Sequence, residues 1–176
     1  KKGRYGDKYF KHIMDSAKYV AHHPKIRSVM FFAMIFFAYM RAGFWLYQPY
    51  MESVNIEVKY FGVFFFIFNM IAAYASRNAS RIMKYTKNHT LMMMLGLLAV
   101  SFLAMGASHI WLGALLILPQ QMARGMYTPI INKYTNKHIP SNKRATVLSF
   151  ISLAASLSAA VMLPLVGLMN DYKDVF

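Results

Sequence analysis

The sequence predicts an all-α fold, a polytopic bundle of transmembrane helices, and three observations lead to this prediction. Apolar residues make up 57% of the 176 residues. The formal net charge is nevertheless +14. The charges are segregated, because long apolar stretches alternate with short clusters of Lys and Arg, as in membrane proteins with several spans. We therefore expect the positive charge to face an anionic membrane surface, and no nucleic acid to be a partner.

Five segments are apolar enough to cross the hydrocarbon layer of a bilayer, which takes about 20 residues. The third and fourth segments are separated by His109 alone, so a tight turn must join them. One helix through both segments is the alternative, but it would be roughly twice as long as a bilayer is thick. A helical hairpin is therefore preferred. The predicted spans are residues 29–51, 60–76, 90–108, 110–131 and 147–169.

The segments outside the spans complete the predicted organisation. Residues 1–28 are interpreted as a cytoplasmic linker, in which Gly6 to Val20 has apolar residues at the spacing of a short amphipathic helix. Pro24 is expected to end that helix. Residues 170–176 are expected on the outer side of the membrane. The chain begins with Lys1 and not with Met, and we interpret it as a piece of a longer protein.

The distribution of basic residues predicts the orientation. Most of the 20 Lys and Arg residues lie in residues 1–28 and in the two segments 77–87 and 133–144. In a five-span arrangement these regions share one side, and positively charged loops stay in the cytoplasm. The opposite side carries Glu52 and Glu57 with few basic residues. We therefore expect an integral protein of a bacterial cytoplasmic membrane, with its N-terminus in the cytoplasm.

The last third of the chain carries a family resemblance. Residues 123–129 read ARGMYTP, and after a basic segment residues 144–149 read RATVLS. Together with PLVGL at residues 164–168, they resemble helices ten and eleven of bacterial transporters of the major facilitator superfamily. Upstream, HPKIR at residues 23–27 resembles the end of that family's central cytoplasmic loop. The basic segment 76–84 departs from the family's best-known loop signature, because it contains neither Gly nor Asp.

The resemblance implies half of a major facilitator fold. The five spans would be helices seven to eleven, and the N-terminal half and helix twelve would be missing. It also implies a secondary transporter that moves a small solute by alternating access between two halves. A non-transporting membrane scaffold or assembly subunit is the alternative function. It explains five spans without a missing half, but it does not explain arginines within the spans.

Polar residues inside predicted spans are the candidate substrate contacts, because each is costly in lipid unless it is paired or faces water. In the first span, helical spacing places three of them on one face. In the fourth span, two neighbouring glutamines precede an arginine and a tyrosine. Asn69 lies in the middle of the second span. The candidates are Arg41, Trp45, Gln48, Asn69, Gln120, Gln121, Arg124 and Tyr127.

The two arginines give the sharpest hypothesis. The resemblance makes their spans the first helices of two inverted repeats, which line the central cavity. None of the spans contains Asp or Glu. We therefore expect the charges of Arg41 and Arg124 to be neutralised either by an anionic substrate or by a carboxylate on the missing half. The alternative for Arg124 is a non-functional role, in which its long side chain reaches the cytoplasmic interface.

No enzymatic site is predicted. The chain has no Cys, and its six His residues lie outside the predicted spans without metal-ligand spacing. We therefore expect no catalytic residues, no metal and no cofactor. Ser149, Ser152 and Ser156 share one face of the last span, and close helix packing through small residues is the preferred interpretation of that face.

Overall fold

The computed structural model describes residue 14 and residues 18–171, and among them no strand occurs. The predicted all-α fold is confirmed. The helices are α1 (Pro24–Ser53), α2 (Phe61–Thr86), α3 (Thr90–Ala107), α4 (Leu118–His138) and α5 (Ser141–Asp171). Short 3₁₀ segments precede α2, α3 and α4 at Val58–Tyr60, Lys87–His89 and Trp111–Ile117.

Three stretches of the described residues are long and apolar enough to cross a membrane. They are Pro24–Ser53, Val58–Ala107 and Ser141–Leu168. The second stretch contains both α2 and α3, so it covers two of the predicted spans. Helix α4 is absent from this set because Gln120, Gln121 and Arg124 interrupt its apolar character. It is the most polar of the five helices in composition.

The predicted ends of the chain are only partly described. Most of the predicted amphipathic helix at residues 6–20, and residues 172–176 of the predicted outer segment, lie outside the described residues. Residues 18–22 are helical. In this turn Val20 is buried, and the Tyr19 hydroxyl donates a hydrogen bond to the His138 carbonyl over 3.2 Å. The segment before α1 therefore packs onto the end of α4.

Local chemistry explains where α1 begins and ends. Pro24 occupies the first turn, where its missing N–H costs nothing because that group has no partner within a helix. At the other end, Asn55 has φ 62°, a left-handed conformation that Asn tolerates better than most residues. The Asn55 N–H donates to the Glu52 carbonyl, and the Ile56 N–H donates to the Met51 carbonyl. This is a Schellman ending, with Ile56 and Met51 both buried.

The chain breaks between α3 and α4. Helix α3 ends at Ala107, and Ser108 and Ile110 have extended backbones. The 3₁₀ segment that follows leads directly into α4, whose first turn contains Pro119. Residues 90–131 are therefore two helical segments and not one long helix.

The two predicted basic loops are mostly helical, so the helices extend beyond the predicted spans. Helix α2 continues past Ser76 to Thr86, and α4 continues past Ile131 to His138. Arg and Lys end the apolar character of a span but are good helix formers, so the helix persists beyond it. Pro140 finally stops α4, because the residue before a proline disfavours helical backbone angles.

Helices from distant parts of the chain form the main interfaces. Helix α1 packs most extensively against α5, and α2 against α4, while α3 lies on α4 and the preceding 3₁₀ segment. The buried face of α5 contains Val147, Ile151 and Ala155. Ser149, Ser152 and Ser156 are exposed instead, so within the described residues the serine face does not carry the packing that the sequence predicted.

Candidate functional site

A cavity of about 200 Å³ brings the two arginines of the predicted spans together. Arg41 reaches it from α1 and Arg124 from α4. The Arg41 guanidinium carbon lies 5.2 Å from the centre of the Phe37 ring, a cation–π arrangement on a side chain that is itself exposed. The remaining lining residues are Phe37, Met40, Phe44 and Tyr47.

Arg124 is held by the neighbouring helix. Its Nη2 donates a hydrogen bond of 2.9 Å to Asn69 Oδ1 on α2. The Asn69 amide nitrogen donates to the Phe65 carbonyl, 2.8 Å away, which fixes the orientation of the amide. Arg124 is half-buried, and its Nε is enclosed without a hydrogen-bond partner. The guanidinium is therefore oriented but not neutralised by these contacts.

A glycine brings α2 and α4 close enough for this bond. A Cβ atom at Gly125 would stand 2.7 Å from the Ala72 carbonyl carbon and 2.8 Å from its Cα, and it would overlap the carbonyl oxygen. Ordinary contacts between carbon atoms are about 3.5–4.0 Å. Gly125 therefore permits a backbone contact that any side chain would prevent. Arg124 directly precedes Gly125, and Asn69 lies three residues, about one helical turn, before Ala72.

The cavity is electropositive. Among the described residues, its lining contains two guanidinium groups and no carboxylate. Among the described residues, the salt bridge is between Lys59 and Glu57, and both of these side chains are mostly exposed outside the cavity. Two cations on one cavity wall without a counter-charge attract an anion, most strongly where water is partly excluded.

Aromatic rings support the cavity from behind. Tyr127 on α4 stacks on Phe36 with a centroid distance of 5.1 Å and an interplanar angle of 4°. It also contacts Phe37, with centroids 6.2 Å apart. Tyr127 thus lies behind the wall that Phe37 presents to the cavity. Its position is that of a supporting residue next to the arginines.

Gln120 lies in a separate buried hydrogen-bond network. Its Oε1 accepts a bond of 2.9 Å from the Tyr47 hydroxyl, and its Nε2 donates to Ser101 Oγ over 2.8 Å. Ser101 in turn donates to the Leu116 carbonyl. This network connects α1, α3 and the start of α4. Gln120 has 1% of its surface exposed, and the neighbouring Gln121 has 2%.

Two predicted residues lie away from the arginines. Trp45 is 65% exposed and borders an apolar groove of about 330 Å³ next to Leu163 on α5. Gln48 is also exposed and is not a lining residue of the arginine cavity. Residues 41 and 45 are about 40° apart around a helix, so Trp45 lies to one side of Arg41. Phe37 and Phe44 occupy the other side of Arg41.

Sequence reasoning missed the apolar lining of the cavity. Phe37, Met40, Phe44 and Tyr47 carry no charge that would single them out in a span rich in aromatic residues. The available signal was spacing, because Phe37 and Phe44 are four residues before and three residues after Arg41 and so share its face. Ser101, which completes the Gln120 network, was also missed.

A larger apolar cavity offers no comparable chemistry. It measures about 560 Å³ and lies between α1, α3 and α5, with Tyr39, Phe102 and Met162 among its lining residues. No charged side chain in the described part of the chain lines it. Within the described part of the chain, no group of three or more His, Asp or Glu side chains could hold a metal ion.

Comparison with known proteins gives one match. A family model described as Major Facilitator Superfamily matches residues 30–174. This range includes most of α1, all of α2 to α5 and every residue of the arginine cavity. No curated protein and no solved structure matches the chain.

Proposed function

Because the chain belongs to the Major Facilitator Superfamily, we propose that it is part of a secondary transporter that moves a small solute by alternating access. The superfamily is one of membrane transporters, so the chain is an integral membrane protein and its substrate is a small molecule. The observation that carries the proposal is the cavity between α1 and α4 with Arg41 and Arg124 on its wall. Intramembrane charges of this kind mark substrate pathways.

The packing of the helices supports assignment to one half of such a transporter, and the sequence resemblance favours the C-terminal half. If α1–α3 and α4–α5 belong to two inverted repeats, α1 corresponds to α4 and α2 to α5. The pseudo-two-fold axis then exchanges the α1–α5 interface with the α4–α2 interface, and these are the two most extensive interfaces in the chain. The five helices would be helices seven to eleven, facing an N-terminal half across the cavity.

We further propose that the substrate is anionic. Arg41 and Arg124 would lie on the first helix of each repeat, and no acid among the described residues lines the cavity to pair with them. A carboxylate on the N-terminal half is the competing explanation. The orientation follows from the positive segments, with the N-terminus and the ends of α2 and α4 in the cytoplasm of a bacterial cell.

A labelling experiment tests alternating access without knowledge of the substrate. In the full-length protein, freed of any other cysteines, Met40→Cys lines the cavity, and Phe36→Cys one helical turn earlier is fully buried and serves as the control. We expect Met40→Cys to react with a small impermeant maleimide added to either side of the membrane, and Phe36→Cys to react from neither side.

Reaction of Met40→Cys from a single side under all conditions contradicts alternating access. It would favour the scaffold function, in which the cavity is a fixed surface. Both variants are first checked for wild-type expression and thermal stability, so that labelling reports on access and not on unfolding.

A further inference from the structure

The uncharged part of the arginine cavity is apolar and largely aromatic. Phe37 and Phe44 flank Arg41 on one face of α1, and Met40 lies between them in sequence. Phe44 also has ring centroids 6.2 Å from both Tyr47 and Phe65, which restrains its orientation. A ligand in this cavity therefore meets aromatic surface on both sides of the positive charge.

The other polar groups near the cavity are already occupied. The Tyr47 hydroxyl donates to Gln120, and both functional atoms of the Asn69 amide are hydrogen-bonded, one to Arg124 and one to Phe65. The guanidinium groups keep most of their N–H donors, because an arginine has five and Asn69 accepts from one. The cavity can therefore satisfy one compact anionic group but few further polar atoms.

The two arginines differ in what they can do. Arg124 is half-buried and oriented by Asn69, so it presents a fixed fork to a ligand. Arg41 is exposed and rests on the face of Phe37, where solvent weakens its charge. Arg124 is thus the residue whose charge needs a partner, and Arg41 is placed to attract anions toward it.

We infer that the cavity binds an organic monocarboxylate with an aromatic or similarly flat apolar body. This inference rests on the proposed transport function and names its substrate class. The carboxylate accepts hydrogen bonds from the oriented guanidinium of Arg124, because the planar fork of arginine matches the two carboxylate oxygens. The ligand body lies against Phe37 and Phe44, as expected for a mostly apolar site with few placed polar groups.

Other anions fit this lining less well. Inorganic phosphate presents oxygen acceptors on all sides, and those that face Phe44 and Met40 would lose water without gaining a donor. The second carboxylate of a dicarboxylate would meet the same apolar surface. A neutral amide of the same shape would give up the charge-assisted contact with Arg124.

The test is equilibrium binding to the purified full-length protein in lipid nanodiscs. Benzoate is the probe, benzamide its neutral isostere, and inorganic phosphate and succinate are competitors. We expect benzoate to bind at least about tenfold more tightly than benzamide, because one charge-assisted contact is lost. Phosphate and succinate should not displace it at the same concentration.

Three variants locate the contacts. Arg124→Gln should weaken benzoate binding about ten- to hundredfold. Phe44→Leu, which keeps apolar volume but removes the ring, should weaken it about two- to tenfold. Arg81→Gln on an exposed part of α2 outside the cavity is the control and should leave binding unchanged. The thermal stability of each variant is measured alongside, and Arg124→Lys retains the charge if the glutamine variant does not fold.

Several outcomes overturn the inference. One is that benzamide binds as tightly as benzoate. Another is that phosphate or succinate displaces bound benzoate as effectively as unlabelled benzoate does. The third is that Arg124→Gln binds benzoate with wild-type affinity. Absence of benzoate binding in a protein whose Met40→Cys variant still labels from both sides rejects the substrate class and leaves alternating access standing. Benzoate binding by a protein whose Met40→Cys variant labels from one side only supports the substrate class and rejects alternating access.

Discussion

Replacement of Gly125 by alanine should separate α2 from α4. The new Cβ would lie 2.7 Å from the carbonyl carbon of Ala72, where about 3.5 Å is the ordinary minimum. The neighbouring atoms belong to the backbone, so no side-chain rotation can relieve the overlap. The helices must therefore move apart by at least about 0.8 Å at this point. That displacement lengthens the 2.9 Å bond between Arg124 and Asn69 beyond hydrogen-bonding range.

Two energies of opposite sign set the size of the effect. Overpacking of a well-fitted interface costs about 1–3 kcal/mol. Alanine is a better helix former than glycine by about 1 kcal/mol, which offsets part of that cost. We expect Gly125→Ala to destabilise the protein by up to about 2 kcal/mol. Loss of the contact that orients Arg124 should in addition weaken anion binding.

The control lies on α3. Gly96 has open space around its Cα, so Gly96→Ala gains helix propensity without overlap and should be neutral or stabilising. The assay is denaturant unfolding of the full-length protein in mild detergent, with benzoate binding measured on the same samples. If Gly125→Ala is as stable as Gly96→Ala and binds benzoate normally, the close contact between α2 and α4 does not hold the site.

Three further predictions concern the Gln120 network, the arginine cavity and the membrane orientation. Gln120→Leu should lower the free energy of unfolding by about 1–3 kcal/mol in the same assay, because the Tyr47 hydroxyl loses its buried acceptor. This loss should be smaller in a Tyr47→Phe background, and an unchanged loss would mean that the two residues are not coupled. Asn69→Ala frees Arg124 and should weaken benzoate binding about tenfold with little loss of stability, whereas unchanged binding would show that Arg124 needs no orientation. Cysteines at Lys84 and Glu57 should react with impermeant maleimide from opposite sides of the membrane, and reaction of Lys84→Cys from outside intact cells contradicts the orientation.

Periodicity and charge segregation were enough to predict an all-α membrane protein, and the motifs were enough to predict its family. Both properties depend on short stretches of sequence, because about 20 apolar residues or a short basic segment can be recognised without knowledge of the rest of the fold. The helix ends were less predictable. The apolar signal stops at Ser76 while the backbone of α2 continues to Thr86, since hydropathy measures the environment and not the helix itself.

The site was predictable only in part. Arg41, Arg124 and Asn69 were singled out because charged and amide groups within spans are rare, and the structure brings these three side chains together. The role of Gln120 was not predictable, because its partners Tyr47 and Ser101 come from helices that meet it only after folding. Polar residues that are close in sequence, such as Gln120 and Arg124, therefore belong to different sites. Gln120 belongs to the buried hydrogen-bond network and Arg124 to the arginine cavity.

The α1–α5 and α2–α4 interfaces also determine the order in which the helices can pack together during synthesis. In lipid each helix satisfies its own backbone hydrogen bonds. The main partner of α1 is nevertheless α5, which leaves the ribosome last of the five, and α2 must wait for α4. Val29, Phe32 and Phe36 on α1 share their core with Val147 on α5. We therefore expect the docking of α5 on α1 to be a late step of biogenesis.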